Sequence, residues 1–291
     1  MSEPTKHPSQ VPTAGCSDDC GAPAGAAETG ERFELRRAVR ERYGAIAEGR
    51  SAGCCDSDCG CSAGSTEGVL ERIGYRAEQI EAIPVESNLG LGCGSPLAHA
   101  EVAPGETVLD LGSGAGLDVF LAARRVGPAG RAIGVDMTPS MVECARASAA
   151  RHGVANAEFR LGEIEHLPVA DASVDLVISN CVLNLSPDKP RAFAEAFRVL
   201  GSGGRLMVSD LVWSAPIAPE LKRQVDRHVG CLAGASLRED YLRLAREAGF
   251  VDLEIVAESG YDPGLEALPA DSAERRAFAA VRSITLRALK P

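Results

Sequence analysis

From Thr107 onward, short apolar runs alternate with longer segments whose apolar positions recur at helical spacing. Thr107–Leu111, Arg131–Val135, Ala157–Leu161, Val174–Ser179 and Arg205–Asp210 read as strands. Leu117–Val126, Pro139–His152 and Lys189–Leu200 read as the helices among them. Alternating strands and helices predict an α/β fold, a parallel sheet with helices on both faces. Further helices are expected near Pro219–Val229 and Glu239–Gly249, then strands near Asp252–Ala257 and Ser283–Leu289. Two closing strands in succession predict an antiparallel edge.

The pattern before residue 105 is different. Residues 1–30 are rich in Pro, Gly, Ala, Ser and Asp, have no apolar period and read as a mobile tail carrying Cys16 and Cys20. A helix is expected from Glu31 to Gly49, with Phe33, Val39, Tyr43 and Ile46 near one stripe. Residues 51–65, SAGCCDSDCGCSAGS, form a cysteine-rich loop without period. A second helical stretch runs from Thr66 to Ile83 and is broken by Pro84. In SNLGLGCGSP (Ser87–Pro96) the glycines bar regular structure and allow close backbone approach. The expected organisation is a tail (1–30), a helical segment with the cysteine loop and a lid (31–104), a core (105–212) and a C-terminal region that covers substrate and completes the sheet (213–291).

Charge and length narrow the function. The 291 residues carry 41 acids against 30 bases, a net charge of −11. That balance argues against a nucleic-acid partner, which needs a basic stripe. The polar N-terminus lacks the apolar centre of a secretion signal, and no apolar stretch reaches the roughly 18 residues of a membrane span. A soluble, cytoplasmic protein with no membrane partner is expected. In a reducing compartment its ten cysteines read as soft-metal ligands or redox thiols before structural disulfides.

VLDLGSGAG (Val108–Gly116) is a strand running through a glycine loop into a helix, with Asp136 at the end of the next strand. A carboxylate there can accept both ribose hydroxyls of a nucleoside. The loop reads G-x-G-x-G and follows Asp110, an acid that repels a pyrophosphate and suits a cationic amino-acid tail. S-adenosylmethionine has that tail and no phosphate. Together with GVDMTPSM, LGEIEHLPV, DASVDLVISN and RVLGSGGRLMVSD, the segment resembles the class I S-adenosylmethionine methyltransferases, Rossmann-like enzymes, in order over residues 105–212. The resemblance implies Asp110, Gly112, Gly114 and Gly116 around the methionine moiety, Asp136 at the ribose, Met137 beside the adenine, Glu163 and Ile164 at its edge, and Asn180 in the cofactor set.

Three cysteines stand where a methyl acceptor belongs. Cys181 follows the fourth strand, beyond whose carboxyl end ligands bind in such sheets. Cys93 lies in the glycine-rich segment before the core, and Cys231 in HVGCLAGA after the fifth strand. Three thiolates suit a soft, thiophilic centre. GCGSP, SNCVLNLSPDK and GCLAGA together resemble the arsenite S-adenosylmethionine methyltransferases, from about Tyr43 to the C-terminal SITLRALK. That resemblance assigns trivalent arsenic, as arsenite or methylarsenite, free or as thiol conjugates, to Cys93, Cys181 and Cys231. It also implies an N-terminal redox cysteine, Cys54 or Cys55, and thioredoxin or glutathione as external reductant. Cysteines 16, 20, 59 and 61 exceed the family pattern and read as a zinc or early arsenite site, or as a partly unused thiol cluster. Cys144 reads as packing, and His152, His166 and His228 lack metal-ligand spacing. The alternatives are a quinone- or sterol-type methyltransferase with incidental cysteines, or a thiol-rich metalloid-binding protein with a vestigial methyltransferase core.

Overall fold

A computed structural model describes residues 30–50, 66–217, 232, 234–261, 269 and 271–291. Its centre is a seven-stranded sheet in the order β3-β2-β1-β4-β5-β7-β6. The strands are β1 (Thr107–Leu111), β2 (Arg131–Asp136), β3 (Ala157–Leu161), β4 (Val174–Asn180), β5 (Leu200–Trp213), β6 (Val251–Gly260) and β7 (Val281–Leu289). The first five are parallel, and β7 runs antiparallel between β5 and β6. The two closing strands thus supply the antiparallel pairing at the sheet edge.

Helices α4 (Leu117–Val126), α5 (Pro139–His152) and α6 (Lys189–Val199) follow β1, β2 and β4. Strand residues alternate between the two faces. In β1, Val108 joins Phe120, Val142, Leu176 and Ile178 in one core, while Leu109 and Leu111 join Val135, Phe193, Val208 and Tyr241 in the other. Because both faces are covered, the central strands are apolar almost throughout, and that made them readable as runs.

Four features differ from the sequence reading. Helix α1 (Gly30–Ala47) forms, but Phe33 is 51% exposed. Tyr43 and Ile46 at the end of α1 pack with Ala115 and Met141, and further back Arg32 and Arg36 pair with Asp188, Glu163 and Glu165 of the body. The stretch expected to be one helix to Ile83 is two, α2 (Thr66–Arg72) and α3 (Ala77–Ile80), separated by a turn at Gly74. Strand β5 starts five residues before Arg205 and continues to Trp213, because β7 pairs with it from Arg205 to Trp213. A register shift opposite Val174–Leu176 absorbs its glycine-rich start. A helix not anticipated, Ala273–Phe278, is capped by the Ser272 hydroxyl and buries Ala277 and Phe278. The helix expected at Pro219–Val229 lies outside the described residues. Among the described residues, no helix is long and apolar enough to cross a membrane.

Candidate functional site

The strand order reverses between β1 and β4, and a cleft of about 1280 Å³ opens beyond their carboxyl ends. Its floor is the loop after β1. The N–H groups of Gly112 and Ser113 donate to Val135 O at 2.7 and 3.1 Å, folding the loop back over β2. Gly112 has φ +65°, and a Cβ there would stand 2.5 Å from the Val182 methyls. Gly116 has φ +94°, and a Cβ would meet the Phe159 ring at 2.7 Å. Both positions therefore require glycine for conformation and for space.

Asp136 ties this loop to the next. Its Oδ2 accepts from Gly114 N at 2.9 Å and its Oδ1 from Thr138 N at 2.8 Å. Met137 and Ile164 also line the cleft. Glu163, expected beside Ile164, stands outside this wall. The chain reverses there, His166 N donating to Glu163 O, and the Glu163 carboxylate faces Arg36 Nε at 3.5 Å. Glu165 lines the cleft instead, buried and hydrogen-bonded by the Ser186 hydroxyl.

Three buried acids share one wall: Asp110, Asp136 and Asp118. Burial raises the pKa of Asp110 well above the usual carboxylate value, and the charges of Asp118 and Asp136 add to the rise. Burial also raises Asp136, against the pull of its two backbone donors. Burial brings Asp118 to about 6, although the Tyr75 hydroxyl and the Asn180 amide favour its ionised form. Asp118 escaped the sequence reading. Its signal was an acid at the second residue of the helix after the glycine loop, a position that also reads as ordinary first-turn charge.

The segment 87–96 covers the cleft. Asn180 Oδ1 accepts from Cys93 N at 3.0 Å and Gly94 N at 3.3 Å, and Nδ2 donates to Gly94 O at 2.6 Å and Tyr75 Oη at 3.0 Å. Asn180 was expected in the cofactor set. It lines the cleft, and three of these bonds tie its amide to the covering segment while the fourth ties it to Tyr75.

Cys93 and Cys181 meet here, with Cα atoms 5.8 Å apart and their sulfurs joined in a disulfide. The two cysteines expected as arsenic ligands are thereby brought together: both side chains are driven into one apolar cluster with Leu211, Trp213 and Leu232, close enough to bond. Cys181 takes a left-handed φ of +64° and donates its N–H to Ser209 O at 2.8 Å. An oxygen of Asp210 lies within 4.8 Å of both sulfurs. Burial raises Asp210 to about 7, while the Tyr241 hydroxyl, donating to Oδ2 at 2.9 Å, and the Lys189 charge pull it down. Cys231, Cys54 and Cys55, with cysteines 16, 20, 59 and 61, lie outside the described residues. Cys144 is a free, partly buried thiol packed near Met141, and burial raises its pKa.

The methyltransferase domain family matches residues 103–249. An arsenite methyltransferase of Halobacterium salinarum is 48% identical over 265 residues, covering 89% of this chain and 67% of the relative. One from Aquipseudomonas alcaligenes is 35% identical over 269 residues, 88% and 74% of the two chains. The crystal structure of an arsenic(III) S-adenosylmethionine methyltransferase from Chlamydomonas reinhardtii superposes with a TM-score of 0.61 at 35% identity, covering 78% of this chain and 74% of the other.

Proposed function

The chain belongs to the arsenite methyltransferases, and from its cleft we propose that Cys93, Cys181 and Cys231 bind trivalent arsenic as thiolates beside S-adenosylmethionine. The enzyme transfers methyl groups from S-adenosylmethionine to arsenite. Membership of this family disposes of the quinone- or sterol-type alternative and of a vestigial core. The observation that carries the thiolate reading is the meeting of Cys93 and Cys181 in the wall of the acidic cleft, across 88 residues of sequence. Leu232, next to Cys231, packs in the same apolar cluster, which supports the third ligand.

The acidic wall fits the cofactor. Three buried carboxyl groups, all with raised pKa, favour a ligand bearing a sulfonium and an ammonium and disfavour a pyrophosphate. In this reading Asp110 and the loop Gly112, Gly114 and Gly116 hold the methionine part. Asp136 holds the ribose, Met137 lies beside the adenine, and Ile164 lies at its edge. Asn180 instead holds the Cys93 segment down over the site. When bound, the cofactor supplies an electrophilic methyl, which the arsenic lone pair accepts while the sulfonium bonding pair stays with sulfur.

The chain's own contribution is position. Thiolates fix the arsenic, and the covering segment shields it from water. Transfer raises arsenic formally to the pentavalent state, and two thiolates closing a disulfide return the two electrons. Thioredoxin or glutathione then reopens the disulfide by thiol exchange. Cys54 or Cys55 serves this redox step.

Arsenic retained after gel filtration of arsenite-treated protein tests the reading. With cysteines 16, 20, 54, 55, 59 and 61 replaced by serine throughout, reduced protein is expected to hold arsenic stoichiometrically, and oxidised protein or the reduced variant also carrying Cys93→Ser/Cys181→Ser to hold far less. Full retention by that variant would refute the thiolate site.

A further inference from the structure

Asp210 is not explained by packing. It is fully buried on β5 and faces the cysteine pair, with a carboxylate oxygen within 4.8 Å of both sulfurs. Oδ2 accepts from Tyr241. Oδ1 is buried without a hydrogen-bond partner, although the backbone N–H groups of Leu211 and Asn184 lie near enough to favour the ionised form. A buried acceptor left open costs stability, so its retention on a carboxylate that lies beside the sulfurs calls for a ligand that completes it.

The chemistry of arsenite supplies one. Arsenite carries three hydroxyl groups on arsenic. Two thiols displace two of them, forming two arsenic–sulfur bonds and releasing two waters, with no change in oxidation state. One hydroxyl remains until a third thiolate displaces it. Methylarsenite carries only two hydroxyls, so the same two thiols remove both, and the third position is a methyl group that cannot donate.

We propose that Asp210 is a specificity-determining residue, whose open oxygen accepts a hydrogen bond from the hydroxyl left on arsenic after Cys93 and Cys181 have bound it. The proposal rests on the thiolate reading given above. Asp210 then favours loading of the unmethylated substrate and gives no help to the methylated one. Tyr241, holding the other oxygen, fixes the direction of the acceptor.

Equilibrium binding of arsenite and of methylarsenite to the fully reduced protein tests this. Asp210→Asn turns a donor toward one of the two partners. It is expected to weaken arsenite binding about tenfold, the scale of one charge-assisted hydrogen bond, and to leave methylarsenite within about twofold. Equal loss for both ligands, or no loss for either, would overturn the proposal. The Cys93→Ser/Cys181→Ser variant separates the two readings: if it binds both ligands normally the thiolate site fails, whatever Asp210→Asn does. If Asp210→Asn does not fold, arsenic-edge X-ray absorption of arsenite on reduced Cys231→Ser protein decides. Two sulfurs and one retained oxygen support the hydroxyl, and a shell without oxygen overturns it.

Discussion

Tyr75 donates its hydroxyl to both oxygens of Asp118, at 2.9 and 2.8 Å, and accepts at 3.0 Å from the Asn180 amide that holds the Cys93 loop. One phenol thereby links the acidic wall of the cleft to the segment covering it. Tyr75→Phe should cost about 1–3 kcal/mol of stability, because buried Asp118 loses its donor and Asn180 an acceptor. It should also weaken S-adenosylmethionine binding at neutral pH, since Asp118 without that donor ionises less readily. Denaturant titration and calorimetry measure the two effects. Unchanged values in both would show that the bridge is idle.

Asp118→Asn should do the opposite to the ligand-free fold. The folded carboxyl has a pKa of about 6 against 3.8 for the ordinary group. Its proton is therefore held more tightly in the folded chain. Stability from this group is fully present below about 3.8 and is lost as the pH rises through about 6. The variant does not titrate there, so its advantage over the parent should be near zero at pH 4 and reach up to about 3 kcal/mol at pH 7. Melting temperatures across this range check the sign, and an advantage that shrinks with rising pH would contradict it.

Asp136→Ala should weaken S-adenosylmethionine binding by about 1.5–3 kcal/mol while leaving arsenite binding to the reduced protein largely intact. The structure adds a second consequence. The N–H groups of Gly114 and Thr138 lose their acceptor, so the glycine loop should exchange its amide hydrogens faster. Calorimetric titration with an unchanged cofactor affinity would remove Asp136 from the site.

Gly112→Ala should destabilise the protein by about 1–3 kcal/mol, combining the left-handed backbone penalty with crowding of the Val182 methyls. Adding Val182→Ala should recover only part of the loss, because it relieves the crowding and leaves the φ of +65°. Complete recovery would mean that backbone strain is negligible at this position.

Cys181→Ser should abolish methylation of both arsenite and methylarsenite, and Cys231→Ser that of arsenite, since a hydroxyl is a harder and far less acidic ligand than a thiol. Cys144→Ser, packed beside Met141 and away from the cleft lining, should change little. Product analysis with S-adenosylmethionine and saturating reductant distinguishes them. Near-normal turnover of Cys181→Ser on methylarsenite would mean that the second thiolate is not required.

The run from Thr107 to Asp210 was legible in the chain itself because the signals there are local. Apolar strands, helical spacing and a glycine loop each act within a few residues of themselves, and burial on both faces repeats the same pattern strand after strand. The cysteines at 93 and 181 could be singled out by type and position. Their joining, however, is a contact across 88 residues that only the packing of the covering segment on β4 produces. The same holds for Tyr75 on Asp118, for the Asn180 amide bonded to Gly94, and for Glu165 lining the cleft in place of Glu163, where a reversal of the chain chose the side. Asp210 read as the end of a strand. Its chemistry emerged when β5 carried it beneath two sulfurs from elsewhere in the chain, because a buried charge takes its meaning from its neighbours in space.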